Sequence, residues 1–502
     1  MPAAPAVFPV LPALPVLPAF LALLALLAPA PPALAADAAP APAPAPAAPI
    51  INKWVRPANS DSLASNPANW SLGHAPRTNE TIHLSASHPR NITWDAAAVR
   101  AVAGWLQDEG YIAVATINTT VPGTVPAATA SASAPASATP AFTTLRIHGN
   151  LEARGGAITH PRNTDKEDWR LSLDIGGDLI VGKTAIISAS GKGFAPGAGP
   201  SPPVTPGAGA SHGGQGSPHA TTPASRPAFT YGSILNPTAS GSGGTVSEAA
   251  ANAYHGGGAI IIKVAGKAGI EGAIRADADS RNFEDDNLGG AAGGSVNLTA
   301  EDFIYGSGQI SADGGRGWGA GAGGGGGGRV AIISRKNNIR IYSNLITAYG
   351  GVGDSKAPEN AIADRHIRGA AGTVYTANND AEIPRSGSVT VRDWHRPSLS
   401  GTRIPSDIGS DPGELRDAEL IIEHTGFVIL SQSTSVRALA FSNGGLDLNA
   451  NTLSTGSVVD RVKAKTPLST PGAYATHDAM QFDAVIFNGG RIIINTYFKP
   501  IF

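Results

Sequence analysis

Five carboxylates crowd one short stretch, at Asp277, Asp279, Glu284, Asp285 and Asp286. Closely spaced acids of this kind suit Ca²⁺, a hard cation that takes about 6–8 oxygen ligands. No cofactor is expected, and calcium is the one that these residues leave open. The stretch lacks the mid-loop Gly and distal Glu of a helix-loop-helix site, and the nonapeptide of calcium-binding β-rolls. A solvated acidic loop is the simpler reading. Arg275, Arg281 and Lys263 lie nearby in sequence and would supply the base of a calcium-assisted lyase, but acids beside bases are also ordinary surface pairing. A second constellation is the pair Asp277 and Asp313, which follow equivalent strands one repeat apart. Glycoside hydrolysis needs two carboxyls roughly 5–9.5 Å apart. Asp313 also precedes Gly314, and Asp in that setting is a turn former.

Other chemistries find no support. The histidines are scattered without HExxH spacing, and no Ser sits in a G-x-S-x-G elbow. Cysteine is absent, which removes disulfides, thiolate metal sites and thiol nucleophiles. The net charge of −2 leaves nucleic-acid binding without its driving force. Trp169, Tyr254, Tyr305, Trp318, Tyr342, Tyr349 and Tyr375 fall near strand ends, where exposed rings could stack on sugars or pack under loops. Scaffolding or passive binding is thus expected ahead of catalysis, and no catalytic residue is assigned.

The elements that must hold these residues repeat. Gly257-Gly258-Ala259-Ile260-Ile261-Ile262, Gly293-Gly294-Ser295-Val296-Asn297-Leu298 and Gly327-Gly328-Arg329-Val330-Ala331-Ile332 each open a strand. Each is followed by a second strand of the form Ile-x-Ala, at Ile274, Ile310 and Ile346, with Ile187 as an earlier copy. A third apolar cluster falls between them (Ile270; Phe303-Ile304; Ile339 and Ile341). Period-two alternation with β-branched inward positions predicts strands rather than helices. One such unit buries little alone, so successive units must stack. The expected fold is all-β, a parallel β-helix (β-solenoid) with long Gly/Pro-rich loop insertions. Leu173, Ile260, Val296 and Val330 should line one interior ladder, and Val374 with Val389 should form a further unit.

The flanks divide as follows. Residues 1–35 read as a signal peptide, with an apolar run from Phe20 to Ala28 and small residues at Ala33-Leu34-Ala35. Residues 36–50 form an Ala/Pro linker that favours extended polyproline II. Residues 51–121 are a β-rich cap with the first units, and Asn66–Pro76 suits a cap around a buried Trp. A low-complexity insertion covers 122–141. The Gly-rich repeat spans 142–391; within it Gly191–Gly244 cannot form an apolar core of its own, and Gly323–Gly328 reads as a surface-packed or disordered loop. A β-rich continuation over 392–502 holds Gly489-Gly490-Arg491-Ile492, the opening of another unit, so that either Tyr497–Phe502 caps the last coil, or the product is truncated, or the end pairs with a partner. No stretch beyond the signal is long enough to span a membrane as a helix.

The strings Gly289–Val296, Gly308-Gln309-Ile310-Ser311-Ala312-Asp313-Gly314-Gly315 and Gly323–Ile332 resemble those of glycine-rich exported surface proteins of environmental bacteria. The Asn69-Trp70-Ser71-x-Gly73 segment is similar to the start of many of them. The resemblance covers about Leu145–Val391 and implies a right-handed parallel β-helix of the pectin-lyase-like type. It carries no catalytic residue over. The expected function is a secreted or cell-surface bacterial module, of structural, matrix or adhesion type, with polysaccharide or cell-envelope components as partners. The alternative is a polysaccharide lyase or glycoside hydrolase on the same scaffold.

Overall fold

The computed structural model describes residues 48–118, 142–220, 228–245, 254–279, 288–319, 321–353, 367–378 and 387–393. It also describes most of 398–456 and the strands at 458–460, 484–486 and 491–494. The signal-peptide, linker (up to residue 47) and 122–141 insertion assignments lie outside these residues. The chain is all-β, with largely parallel sheets, and no α-helix occurs among the described residues. No helix there is long and apolar enough to cross a membrane.

Each central unit contributes three short strands. Ala259–Val264, Ser295–Ala300 and Arg329–Ser334 pair in parallel, so that Ile260, Val296 and Val330 share a column. Ala268–Ile270, Ile304–Tyr305 and Ile339–Arg340 form a second ladder. Ala273–Arg275, Gln309–Ser311 and Ile346–Thr347 form a third. In the preceding unit the second and third strands are one piece, Leu179–Ser188, with a register shift between Val181 and Thr184. Gly272 takes the corner in the split version. A Cβ there would lie well under 3.0 Å from the carbonyl oxygens of Gly182 and Ala185.

Two expected registers are corrected. Leu171, not Leu173, stands beside Ile260, and Leu173 pairs with Ile262. Both leucines point inward, so a slip of two preserves alternation and leaves the sequence no means to choose. Val374 and Val389 do not bracket a further unit. Thr373–Asn378 and Gly387–Arg392 are antiparallel neighbours, and from there Ala418–Glu423 and Ala438–Ser442 run parallel to Gly387–Arg392. The reversal also changes which face is apolar. In Arg329–Ser334, Val330 and Ile332 join the first core while Ala331 joins a second. That second core lies on the opposite side of the same sheet and holds Tyr375, Val389, Leu420 and Leu439.

The N-terminal end closes on tryptophan. Trp54, Trp70, Trp94 and Trp105 are buried, with successive ring centroids 5.0, 6.4 and 5.3 Å apart. The indole N–H of Trp70 donates to the Ala64 carbonyl at 2.8 Å, so the polar edge is satisfied inside the cap.

The glycine tracts are buried. Gly323–Gly328 is neither a surface loop nor a strand; all six residues lie inside the protein. The amides of Gly323 and Gly326 donate to Gly207 and Ala210, those of Gly324 and Gly327 to Ile367 and Ala370, and those of Gly325 and Gly328 to Gly315 and Ala312. The same neighbour returns every third residue, which is the three-residue turn of a polyproline II helix. The carbonyls follow suit. Gly290 and Gly293 donate to Gly323 and Gly326, Ser217 and Gly214 to Gly324 and Gly327, and Gly351 and Thr373 to Gly325 and Gly328. All twelve main-chain groups are thus satisfied by neighbours around one central helix. A Cβ at any of the six would fall under 3.0 Å from a neighbouring carbonyl, so a helix hydrogen-bonded on all sides has room only for glycine. Of the described residues in 191–244, Gly207, Ala210, Gly214 and Ser217 supply donors and acceptors to this helix, while Ile234 and Leu235 join the second core.

Candidate functional site

The repeat brings Asp277 and Asp313 together. Ile187, Ile274, Ile310 and Ile346 stack in register, so the position three residues on forms a column of Ser190, Asp277, Asp313 and Tyr349. The Asp277 amide donates to Ser190 Oγ at 3.2 Å. Asp277 Oδ1 accepts the Asp313 amide at 2.8 Å and its Oδ2 accepts Ser311 Oγ at 3.0 Å. Asp313 repeats the pattern one rung on, accepting the Tyr349 amide at 2.7 Å and Thr347 Oγ1 at 3.0 Å. Each carboxylate therefore caps the next rung with both oxygens. A main-chain amide, rather than space for a sugar, lies between them.

Burial pushes the Asp313 carboxyl up to about 7, with the Asp277 and Asp393 charges adding to it and the two hydrogen bonds opposing it. Burial raises Asp277 as well. A carboxyl raised in the folded state favours folding at low pH, and that contribution is lost as pH climbs from the ordinary Asp value towards 7. Asp313→Asn keeps the acceptor for Tyr349 and places an amide N–H toward the Thr347 hydroxyl. It should match the parent near pH 4 and exceed it by about 2 kcal/mol at pH 8, after allowance for solvent screening. Urea unfolding from pH 4 to 8 checks this; parallel curves for the two proteins would refute it. The buried His160 and His212, each donating Nδ1–H to a carbonyl and pushed down to about 3 by burial, act in the other direction. They lower stability as pH falls below about 6.5, equally in both proteins.

Of the calcium candidates, only Asp277 and Asp279 lie among the described residues. Asp277 is committed to the column, while Asp279 lies 3.8 Å from Arg162 Nη2. Among the described residues no three His, Cys, Asp or Glu come together as a metal-holding group. Glu284, Asp285 and Asp286, with Arg281, lie outside the described residues. Arg275 Nη2 donates to Gln309 Oε1 at 2.7 Å. Lys263 stands in a different sheet, beside Asp174 and Thr299, so these two bases do not converge.

The aromatic candidates divide by burial. Tyr254 and Tyr375 are buried, and Trp169, Trp318 and Tyr349 are half-buried. Tyr305 is 40% exposed and Tyr342 75% exposed. A shallow groove of ≈ 420 Å³ lies near Tyr342, lined among others by Ile339, Ile346, Asn378 and Arg437 and by no carboxylate.

One constellation escaped the sequence reading. Arg329 is 0% exposed. Its Nε donates to the Tyr231 carbonyl at 2.9 Å, Nη1 to Thr373 Oγ1 at 2.9 Å and Nη2 to Ser406 Oγ at 2.6 Å. Burial lowers the guanidinium to about 10, with Glu414, Tyr231 and Asp407 opposing, so it stays charged. The signal available was an arginine at the strand position held by Ala259 and Ser295 in other units. It pins the 231–236 and 404–407 segments to the outer face of the sheet.

The described residues thus define an all-β protein on parallel sheets whose carboxylate pair is built into the main chain. The chain matches no family model, no curated protein and no solved structure.

Proposed function

We propose that this chain is an exported, non-catalytic β-solenoid module of a bacterial cell surface or extracellular matrix. The supporting observation is the carboxylate column: Asp277 and Asp313, which the repeat brings together, spend their oxygens on the next rung's amides and hydroxyls. Three parallel ladders running through consecutive units in fixed chain order support a coiled β-helix as the finer description of the fold. The Ala/Pro-rich leader and the lack of cysteine are consistent with export. The resemblance to glycine-rich exported proteins points the same way. The competing reading, a polysaccharide-degrading enzyme, draws on the raised Asp313 carboxyl, the property of a general acid. Purified protein incubated with acidic and neutral polysaccharides should release neither unsaturated nor reducing ends. Release that disappears in Asp313→Asn would overturn the non-catalytic reading, and retention of the protein inside the producing cell would overturn export.

A further inference from the structure

We propose that the outward face of the second ladder is a glycan-binding strip, with Tyr305 and Tyr342 as its stacking platforms. The inference rests on the non-catalytic surface-module reading and assigns it a ligand class and a site.

Gly269, Tyr305 and Arg340 occupy one outward column on successive rungs. The Tyr305 ring lies across the Gly269 backbone. A Cβ at Gly269 would meet Tyr305 Oη at 2.9 Å, Cζ at 3.0 Å and Cε2 at 3.3 Å. The Cε2–Cζ–Oη edge of the ring therefore lies close over Gly269, and the residue is 40% exposed. Any side chain at position 269 would tilt the ring away. Two residues further along and one rung on stands Tyr342. It follows Arg340, the last paired residue of the ladder, and the two are exposed on either side of the buried Ile341.

Polar groups flank the rings. Ser307 Oγ donates to Glu271 Oε2 at 2.5 Å on the column that leads to Tyr342. The Arg340 guanidinium is held 4.4 Å from the Phe303 ring centroid. A flat apolar face bordered by a carboxylate, a hydroxyl and a guanidinium matches a pyranose, which presents C–H groups on its face and hydroxyls at its edge. One acid and one base balance, so the strip suits a neutral glycan over an acidic one. An extended peptide would need an open strand edge. Ala268–Ile270 and Ile304–Tyr305 are both paired on each side, so among the described residues of this strip only the last rung, Ile339–Arg340, offers a peptide main chain to join.

The test is affinity electrophoresis and pull-down of the full chain with neutral polysaccharides (cellulose, β-glucan, xylan, mannan), with pectate and anionic lipid vesicles as the other arms. At least one neutral glycan should retain the protein. Tyr305→Ala and Tyr342→Ala should each weaken retention at least tenfold, Tyr305→Trp should preserve it, and the exposed Val204→Ala should leave it unchanged. Unchanged near-ultraviolet circular dichroism would show that the variants fold. Retention indifferent to both tyrosines would overturn this site while leaving the surface-module reading intact. Failure to bind any neutral glycan, or preference for pectate or vesicles, would overturn the proposal. Product release in the same incubations would instead overturn the underlying reading.

Discussion

Gly325→Ala is expected to destabilise the protein by about 3–5 kcal/mol, a large share of the roughly 5–15 kcal/mol that holds a typical domain together. The added methyl would fall under 3.0 Å from the Ala291 and Gly290 carbonyl oxygens. These are backbone atoms, so no flexible side chain can move aside. Overpacking costs about 1–3 kcal/mol. Displacing the helix also strains the hydrogen bonds from Gly325 to Gly315 at 2.9 Å and from Gly351 to Gly325 at 2.7 Å, each worth about 1 kcal/mol. Gly413→Ala is the matched control. Its nearest neighbour is Asp411 Oδ1 at 3.5 Å, and the change should stay within about 0.5 kcal/mol. Urea unfolding of both variants decides the matter. A Gly325→Ala midpoint close to the parent's would mean that the glycine segments are not packed carbonyl against Cα.

Arg329→Met should cost about 3–5 kcal/mol, because it removes three hydrogen bonds and the cation facing a buried carboxylate. Glu414 is buried and accepts hydrogen bonds from Ser233 and from the Leu235 amide, the latter at 2.9 Å. Without Arg329 its charge loses a cation with which it interacts. Arg329→Lys keeps the charge but not the planar fork that reaches Tyr231, Thr373 and Ser406 together, so roughly half the loss should remain. Adding Glu414→Gln to Arg329→Met should recover part of the stability, since the orphaned charge is then gone. Thermal or urea unfolding of the four proteins gives the coupling directly. Strict additivity of the two substitutions would show that Arg329 and Glu414 do not act on each other.

The two predictions probe opposite extremes of legibility. Ile260, Val296 and Val330 were readable because alternation and a constant spacing place like residues in like positions, and the column they form follows. Asp277 and Asp313 were readable by the same logic: a position after equivalent strands must be adjacent once the units stack. That they cap the main chain was visible only as the ordinary turn role of Asp. Leu173 failed because alternation is blind to a slip of two. Tyr375 was left open between stacking and packing, and parity could not choose. A residue opposite Val374 would face solvent in a one-core stack, but here the chain reverses at 373–392 and a second core covers that face. The exposed rings of Tyr305 and Tyr342 could be named as candidates, but not distinguished from Tyr254 and Tyr375.

Side-chain parity, the repeated three-strand unit, the buried tryptophan of the 66–76 segment and the absence of thiol chemistry were legible in the order of residues alone, because each depends on side chains and their local spacing. Glycine offers no such record. Which tract lies against Gly323–Gly328, and in which direction it runs, depends on main-chain donors and acceptors brought from segments far apart in the chain. The clamp of Arg329 likewise needs Tyr231 and Ser406 to arrive from two separate loops. These arrangements belong to the tertiary structure, since hydrogen bonds between featureless backbones are specified only when the rest of the fold has brought them into contact.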